Sequence, residues 1–305
     1  MRWGPAALLL AAALGCQYMP HAYEPHSAQI PDAQTVPLPG ATLTFASEGS
    51  GPSILFVHGN IADLRIWVGQ RGTALKGFWK VAYSRRYHYP NAWAGDGSDY
   101  TEANNVKDLE GILRELHLGR AHLVGHGSGA QLAVEVALSH PELVRTLVLV
   151  EPEMTAAAAS RPGFDSLAEE RADLYGRLRT LEIMGEAAKA AQQLFNWSNA
   201  NPNAYEELPP PLQGEILDNA TVFPFFLNAP PPAVPCTTLA RVAAPTLVVT
   251  GERTNPYFSQ LADAIAACIP GAAREFVPGG AHVVQRDVPD AFNAVLVGFL
   301  STHNN

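Results

Sequence analysis

Short, strongly apolar runs alternate with segments of helical period along most of this chain, which commits it to strand–helix–strand units around a parallel sheet. The runs are residues 53–57, 80–83, 121–124, 146–150, 246–250 and 274–277. Residues 42–46 are poorer but alternate, as an antiparallel edge strand does. Between runs, 100–118 places Val106, Leu109, Ile112, Leu113 and Leu116 at helical spacing. Residues 131–138 are apolar nearly all round, as suits a helix packed against the sheet. A last helix is expected from Pro289, a residue tolerated in a first turn, to about Leu300. The fold class is α/β, and 305 residues suffice for one large core.

The pattern changes over 152–242. Helical segments stand at 166–184 and 186–195, with proline clusters at 209–211 and 230–232 and no strand candidate between them. We read this stretch as a helical cap inserted into a core formed by 41–151 and 243–305. Phe223, Phe225, Phe226 and Trp197 either line a pocket under the cap or form the cap's own small core.

The N-terminus has a different character. Arg2, the apolar run Ala6 to Leu14 and then Gly15-Cys16 resemble a signal peptide over residues 1–16. Nine apolar residues are too few to span a bilayer. A small residue before Cys16 also suits a lipoprotein signal, so lipidation of Cys16 and a general secretory signal both stay open. Residues 17–40, with Pro20, Pro25 and Pro31, read as a linker. Export makes Cys236 and Cys268 a candidate disulfide; two buried thiols are the alternative. The net charge of -9 presents no basic face for nucleic acid or an anionic membrane. Membrane contact is therefore expected only through an N-terminal lipid anchor. A monomer binding a small molecule is expected.

The most telling motif is Gly125-His126-Gly127-Ser128-Gly129-Ala130, set between a strand and a helix. Phe56-Val57-His58-Gly59-Asn60, the stretch Ser84 to Pro90, Thr246 to Arg253 and Gly279-Gly280-Ala281-His282 follow one another in a familiar order and spacing. From residue 42 to 301 the chain thereby resembles the α/β-hydrolase-fold superfamily, specifically its capped members with an HGN segment. That resemblance implies a mostly parallel sheet with helices on both faces, and hydrolysis of a small, fairly apolar ester or related bond. It implies His282 as catalytic base and an oxyanion hole made by the backbone N–H groups of Asn60 and Ser128. His58 reads as a structural part of its turn. Laid onto the family's nucleophile elbow, G-x-S-x-G, Gly125 and Gly129 are the small flanking residues and Gly127 stands where the nucleophilic serine belongs. Shifting the register to centre Ser128 puts His126 where only a small residue fits.

The acid partner of His282 has two candidates. The loop after Thr250 carries Gly251-Glu252-Arg253-Thr254, with threonine where relatives place an aspartate. Glu151, directly after the strand 146–150, matches an alternative acid position and is preferred, with Glu252 in reserve. Three outcomes stay open: a silent site that keeps a ligand pocket, water activated by His282 and Glu151, and Ser128 as a non-standard nucleophile. A catalytically inactive binding or sensing protein is thus the alternative to a hydrolase. The ten histidines show no metal-ligand spacing such as H-E-x-x-H. No glycine-rich phosphate loop stands out, and no cofactor is implied.

Overall fold

The computed structural model describes residues 30, 32–93, 95–229 and 234–304. Residues 1–16 and Cys16, read as a targeting segment, lie outside them. The chain runs β1 (Gln34–Leu38), β2 (Ala41–Gly49), β3 (Ser53–Val57), β4 (Trp79–Tyr83), α1 (Glu102–Glu115), β5 (Ala121–His126), α2 (Ser128–Ser139) and β6 (Val144–Val150). Then follow α3 (Phe164–Ile183), α4 (Ala187–Ser198), α5 (Pro210–Asp218), α6 (Phe223–Asn228) and α7 (Cys236–Leu239). β7 (Thr246–Gly251), α8 (Pro256–Cys268), β8 (Ala273–Val277), α9 (Val284–Asp287) and α10 (Pro289–Ser301) complete it.

The strands form one sheet in the order β1-β2-β4-β3-β5-β6-β7-β8. β1 and β2 are antiparallel to their neighbours, and the pairs from β4 to β8 are parallel. The apolar runs have the two-sided burial expected of a covered parallel sheet. In β3, Leu55 and Val57 point into one core with Leu109, Ile112, Leu132 and Leu261. Ile54 and Phe56, one pleat away, point into the other with Trp67, Phe292 and Leu296.

One boundary differs from the sequence reading. Residues 34–38, inside the stretch taken as linker, form an edge strand, so β2 lies one place inward. Val36 is paired opposite Leu43 and is 5% exposed, but it is the one buried residue of its strand, which leaves no periodicity to read. Pro37 is tolerable there because an edge needs ladder bonds on one side only.

α3 to α7 arise between β6 and β7. Cys236 and Cys268 are joined as a disulfide that ties α7 to α8 across a sequence separation of 32. Loop-closure entropy for that separation gives about 3–4 kcal/mol. The Cys236→Ala, Cys268→Ala double variant is therefore expected to melt several degrees lower, with no further change on adding dithiothreitol. Equal melting temperatures would show that the link does not constrain the unfolded chain. Among the described residues no helix is long and apolar enough to cross a membrane.

Candidate active site

β5 ends at His126 and α2 starts at Ser128, so the chain turns through the single residue Gly127, at φ 55° and ψ -121°. A residue bearing Cβ rarely adopts that conformation. The turn is pinned by Gly127 N–H donating to Val150 O at 2.9 Å. Its flanks allow no side chain: a Cβ on Gly125 would lie 2.5 Å from Ala130 Cα, and one on Gly129 2.4 Å from Val57 O. On Gly127 the nearest atom would be Gly59 Cα at 3.8 Å, ordinary contact distance. The packing thus puts Gly127 at the centre of the turn, with open space in front of it.

His282 follows β8 in the loop Gly279-Gly280-Ala281. Its Nδ1 stands 3.3 Å from Glu151 Oε2, at the long end of hydrogen bonding. Glu151 is fully buried at the end of β6 with φ 48°. Its carboxylate accepts from Gly251 N–H at 2.7 Å and from the Thr254 hydroxyl at 2.7 Å. Thr254, in the loop where the resemblance implies an acid, thus holds an acid supplied by the neighbouring strand. Glu252 is exposed and accepts from Gly279 N–H at 2.9 Å; its carboxylate is engaged there and not with His282. Burial pushes the Glu151 carboxyl up to about 8, against the two hydrogen bonds that favour its ionised form. Burial likewise lowers the His282 imidazole to about 4.

The imidazole of His282 is held from three sides. Its ring lies 4.2 Å from that of Phe258 and 4.8 Å from that of His126, centroid to centroid. Its backbone N–H donates to Asn199 Oδ1 at 3.2 Å. His126 Nε2 donates to His282 O at 2.9 Å, which leaves Nδ1 without its proton. That Nδ1 is buried and unpartnered.

Ser128 points elsewhere. Its hydroxyl donates to Asn60 Oδ1 at 2.7 Å and accepts from Arg85 Nη1 at 3.0 Å. Its backbone N–H belongs to the first residue of α2 and so has no partner within the helix. Asn60, Gly127, Ser128, His126 and His282 line one cavity of about 70 Å³, closed by cap residues including Leu194 and Trp197. His58 takes the structural part expected of it: Nδ1 donates to Gly59 O at 2.7 Å and Nε2 accepts from Arg85 N–H at 2.9 Å.

The cap aromatics divide. Phe223 is fully buried in the core, Trp197 lines this cavity, and Phe226 lines a neighbouring one. Phe225 packs among Tyr87, Trp93 and Tyr100. Sequence reasoning missed Asn199, Phe258, Arg85 and the pair Glu153–Arg171, whose Arg171 Nε donates to Glu153 Oε1 at 2.8 Å. Asn199, Phe258, Glu153 and Arg171 carry no local motif, and Arg85 lies in the stretch Ser84 to Pro90 with nothing there to mark its role. Thr254 alone had a signal, its place in the acid loop.

Strand order, elbow and cap together define an α/β-hydrolase. The Alpha/beta hydrolase family model matches residues 54–295, and the chain belongs to that family. A putative carbamate hydrolase, RutD, from Azorhizobium caulinodans is 27% identical over 84% of this chain and 98% of its own. Among solved structures, Est816, described as an N-acyl homoserine lactone degrading enzyme, superposes with a TM-score of 0.69 at 21% identity. It covers 87% of this chain and 100% of that one. A thermophilic esterase from Thermogutta terrifontis gives 0.68 at 21% identity, with 91% and 100% covered.

Proposed function

We propose that this protein is an exported hydrolase of small acyl compounds that attacks its substrate with water rather than with a serine. The observation that carries this reading is the His282–Glu151 pair beside an elbow whose centre, Gly127, leaves open space. A water in that space gives its proton to the Nε2 of neutral His282 while its oxygen adds to the substrate carbonyl carbon. The carbonyl electron pair moves onto oxygen, where the N–H groups of Asn60 and Ser128 receive it; one such donor is worth roughly 3 kcal/mol in a serine protease. Glu151, once ionised, stabilises the imidazolium. His282 then returns the proton to the leaving group as its bond to carbon breaks. The relative named as a carbamate hydrolase supports acyl cleavage. The Cys236–Cys268 disulfide supports an oxidising compartment.

Ser128 as nucleophile is the weaker reading, since its hydroxyl is bonded to Asn60 and Arg85. A second reading, a ligand-binding protein without turnover, is favoured by the missing side chain at Gly127. Hydrolysis of p-nitrophenyl acetate and butyrate by protein lacking residues 1–16 separates them. His282→Ala is expected to lower the rate at least ~10²-fold, and Ser128→Ala less than about tenfold. Equal losses would make Ser128 the nucleophile. A parent protein no faster than buffer supports the binding reading.

A further inference from the structure

Arg85 is a buried charge without a counter-charge among the described residues. It is 4% exposed, comparable with Arg65 at 9% and Arg86 at 5%. Those two arginines each hold a pair of carboxylates, Asp63 and Asp218 for Arg65, Asp99 and Asp108 for Arg86. Every partner of Arg85 is neutral. Nε donates to Asn105 Oδ1 at 3.1 Å, Nη1 to His58 O at 3.4 Å and Ser128 Oγ at 3.0 Å, and Nη2 to the Tyr100 hydroxyl at 2.9 Å. Those bonds occupy four of the five guanidinium N–H groups. Among the described residues no carboxylate lies in ion-pair range of it. Taking a cation out of water without a counter-ion costs several kcal/mol, a burden that an incoming anion relieves.

There is room for one. Arg85 lines a second cavity, of about 240 Å³, which shares Asn60, Ser128, Glu153 and Tyr175 with the first. Its other charged walls are Arg171, Arg179, Glu102 and Glu153. Glu153 is held by Arg171, and Glu102 accepts from Gln131. Arg179, exposed, donates to Leu227 O at 3.0 and 2.8 Å and has no carboxylate partner among the described residues. Among the described residues, the charges of this cavity without an ion-pair partner are therefore Arg85, Arg179 and the exposed Glu102, which leaves a net positive charge with Arg85 as its one buried member.

We propose that the second cavity seats a carboxylate, bound by Arg85 within and Arg179 at the rim. If the neighbouring site is the hydrolase described above, on which this extension rests, its substrates are acyl compounds bearing a free carboxylate. The spacing is short: Arg85 Nη1 is 3.0 Å from the side chain of Ser128, whose own N–H serves the first cavity. A half-ester of a small dicarboxylic acid fits both ends.

Calorimetric titration with methyl hydrogen succinate and with dimethyl succinate tests this without any need for turnover. The monoester is expected to bind at least tenfold more tightly than the diester. Arg85→Met is expected to abolish that preference, and Arg85→Lys to keep part of it. Arg179→Gln, a change at the surface, is expected to weaken the preference about threefold and remains informative should Arg85→Met not fold. No binding of the monoester, equal binding of both, or a preference untouched in the variants overturns the proposal. Turnover of p-nitrophenyl acetate is read separately: a protein that binds the monoester but cleaves nothing refutes the hydrolase reading and leaves the carboxylate site standing.

Discussion

Replacing Gly127 by serine is expected to raise p-nitrophenyl acetate hydrolysis at least ~10²-fold over the parent. A serine triad works about that much or more above its remnant of oxyanion hole and binding alone, and here His282, Glu151 and the proposed oxyanion-hole residues Asn60 and Ser128 stand around the same turn. The new Cβ would meet nothing closer than 3.8 Å, and it would project from a turn already shaped for a projecting side chain. The cost is backbone strain: serine at φ 55° loses about 1–3 kcal/mol relative to glycine, seen as a drop of several degrees in Tm. The variant should also acquire a covalent adduct with a fluorophosphonate, detected as a mass increase, which the parent lacks. Adding His282→Ala should abolish the gain and bring the rate down to that of the His282→Ala single variant. A folded Gly127→Ser protein with no gain and no adduct would mean that the imidazole does not face that space.

The second large effect concerns Glu151. Burial raises its carboxyl from an ordinary 4.5 to about 8. A raised carboxyl pKa means that the folded state binds the proton more tightly than the unfolded chain does. The resulting stabilisation is complete below about pH 4.5 and is lost as pH rises through 8. Every tenfold gain in proton affinity on folding is worth about 1.4 kcal/mol, so the parent should lose several kcal/mol of stability between pH 5 and 9. Glu151→Gln, which cannot ionise, should show a flatter melting profile and overtake the parent above pH 8. Activity is expected to run the other way. His282, held down at about 4, is neutral throughout this range, so the rate should climb as Glu151 ionises near pH 8. In Gly127→Ser protein, Glu151→Gln should cost about 10³–10⁴-fold, as the analogous loss does in serine proteases, and should remove the climb. A parallel fall of stability in both proteins would place the titrating group elsewhere.

The glycine spacing shows how much a short stretch can say. Gly125, Gly127 and Gly129 report a strand turning into a helix so tightly that neighbouring backbone fills every Cβ position but one. That is local geometry, and it is legible because all the atoms concerned come from the elbow and the adjoining β3. The apolar runs and the approach of Cys236 to Cys268 are legible for a similar reason, since each rests on periodicity or on the order of the elements. β1 was hidden because one buried valine makes no pattern. His282 was named by its loop, and Glu151 by its place after β6. The preference for Glu151 over Glu252 rests on position along the chain, and the fold adds that Glu151 Oε2 lies 3.3 Å from His282 Nδ1.

The amino-acid order alone determined the strand–helix alternation, the inserted cap and the glycine at the elbow's centre, because these follow from side-chain size and period along the chain. Only the tertiary structure decided that Ser128 turns to Asn60 and Arg85, that Thr254 props up Glu151, and that Arg86 takes the carboxylates while Arg85 goes without. Those outcomes depend on which groups from distant segments meet in a buried space. Adjacent arginines of identical chemistry acquire opposite electrostatic circumstances because the chain turns between them, closed by His88 N–H on Arg85 O at 3.1 Å, and the two side chains meet different segments.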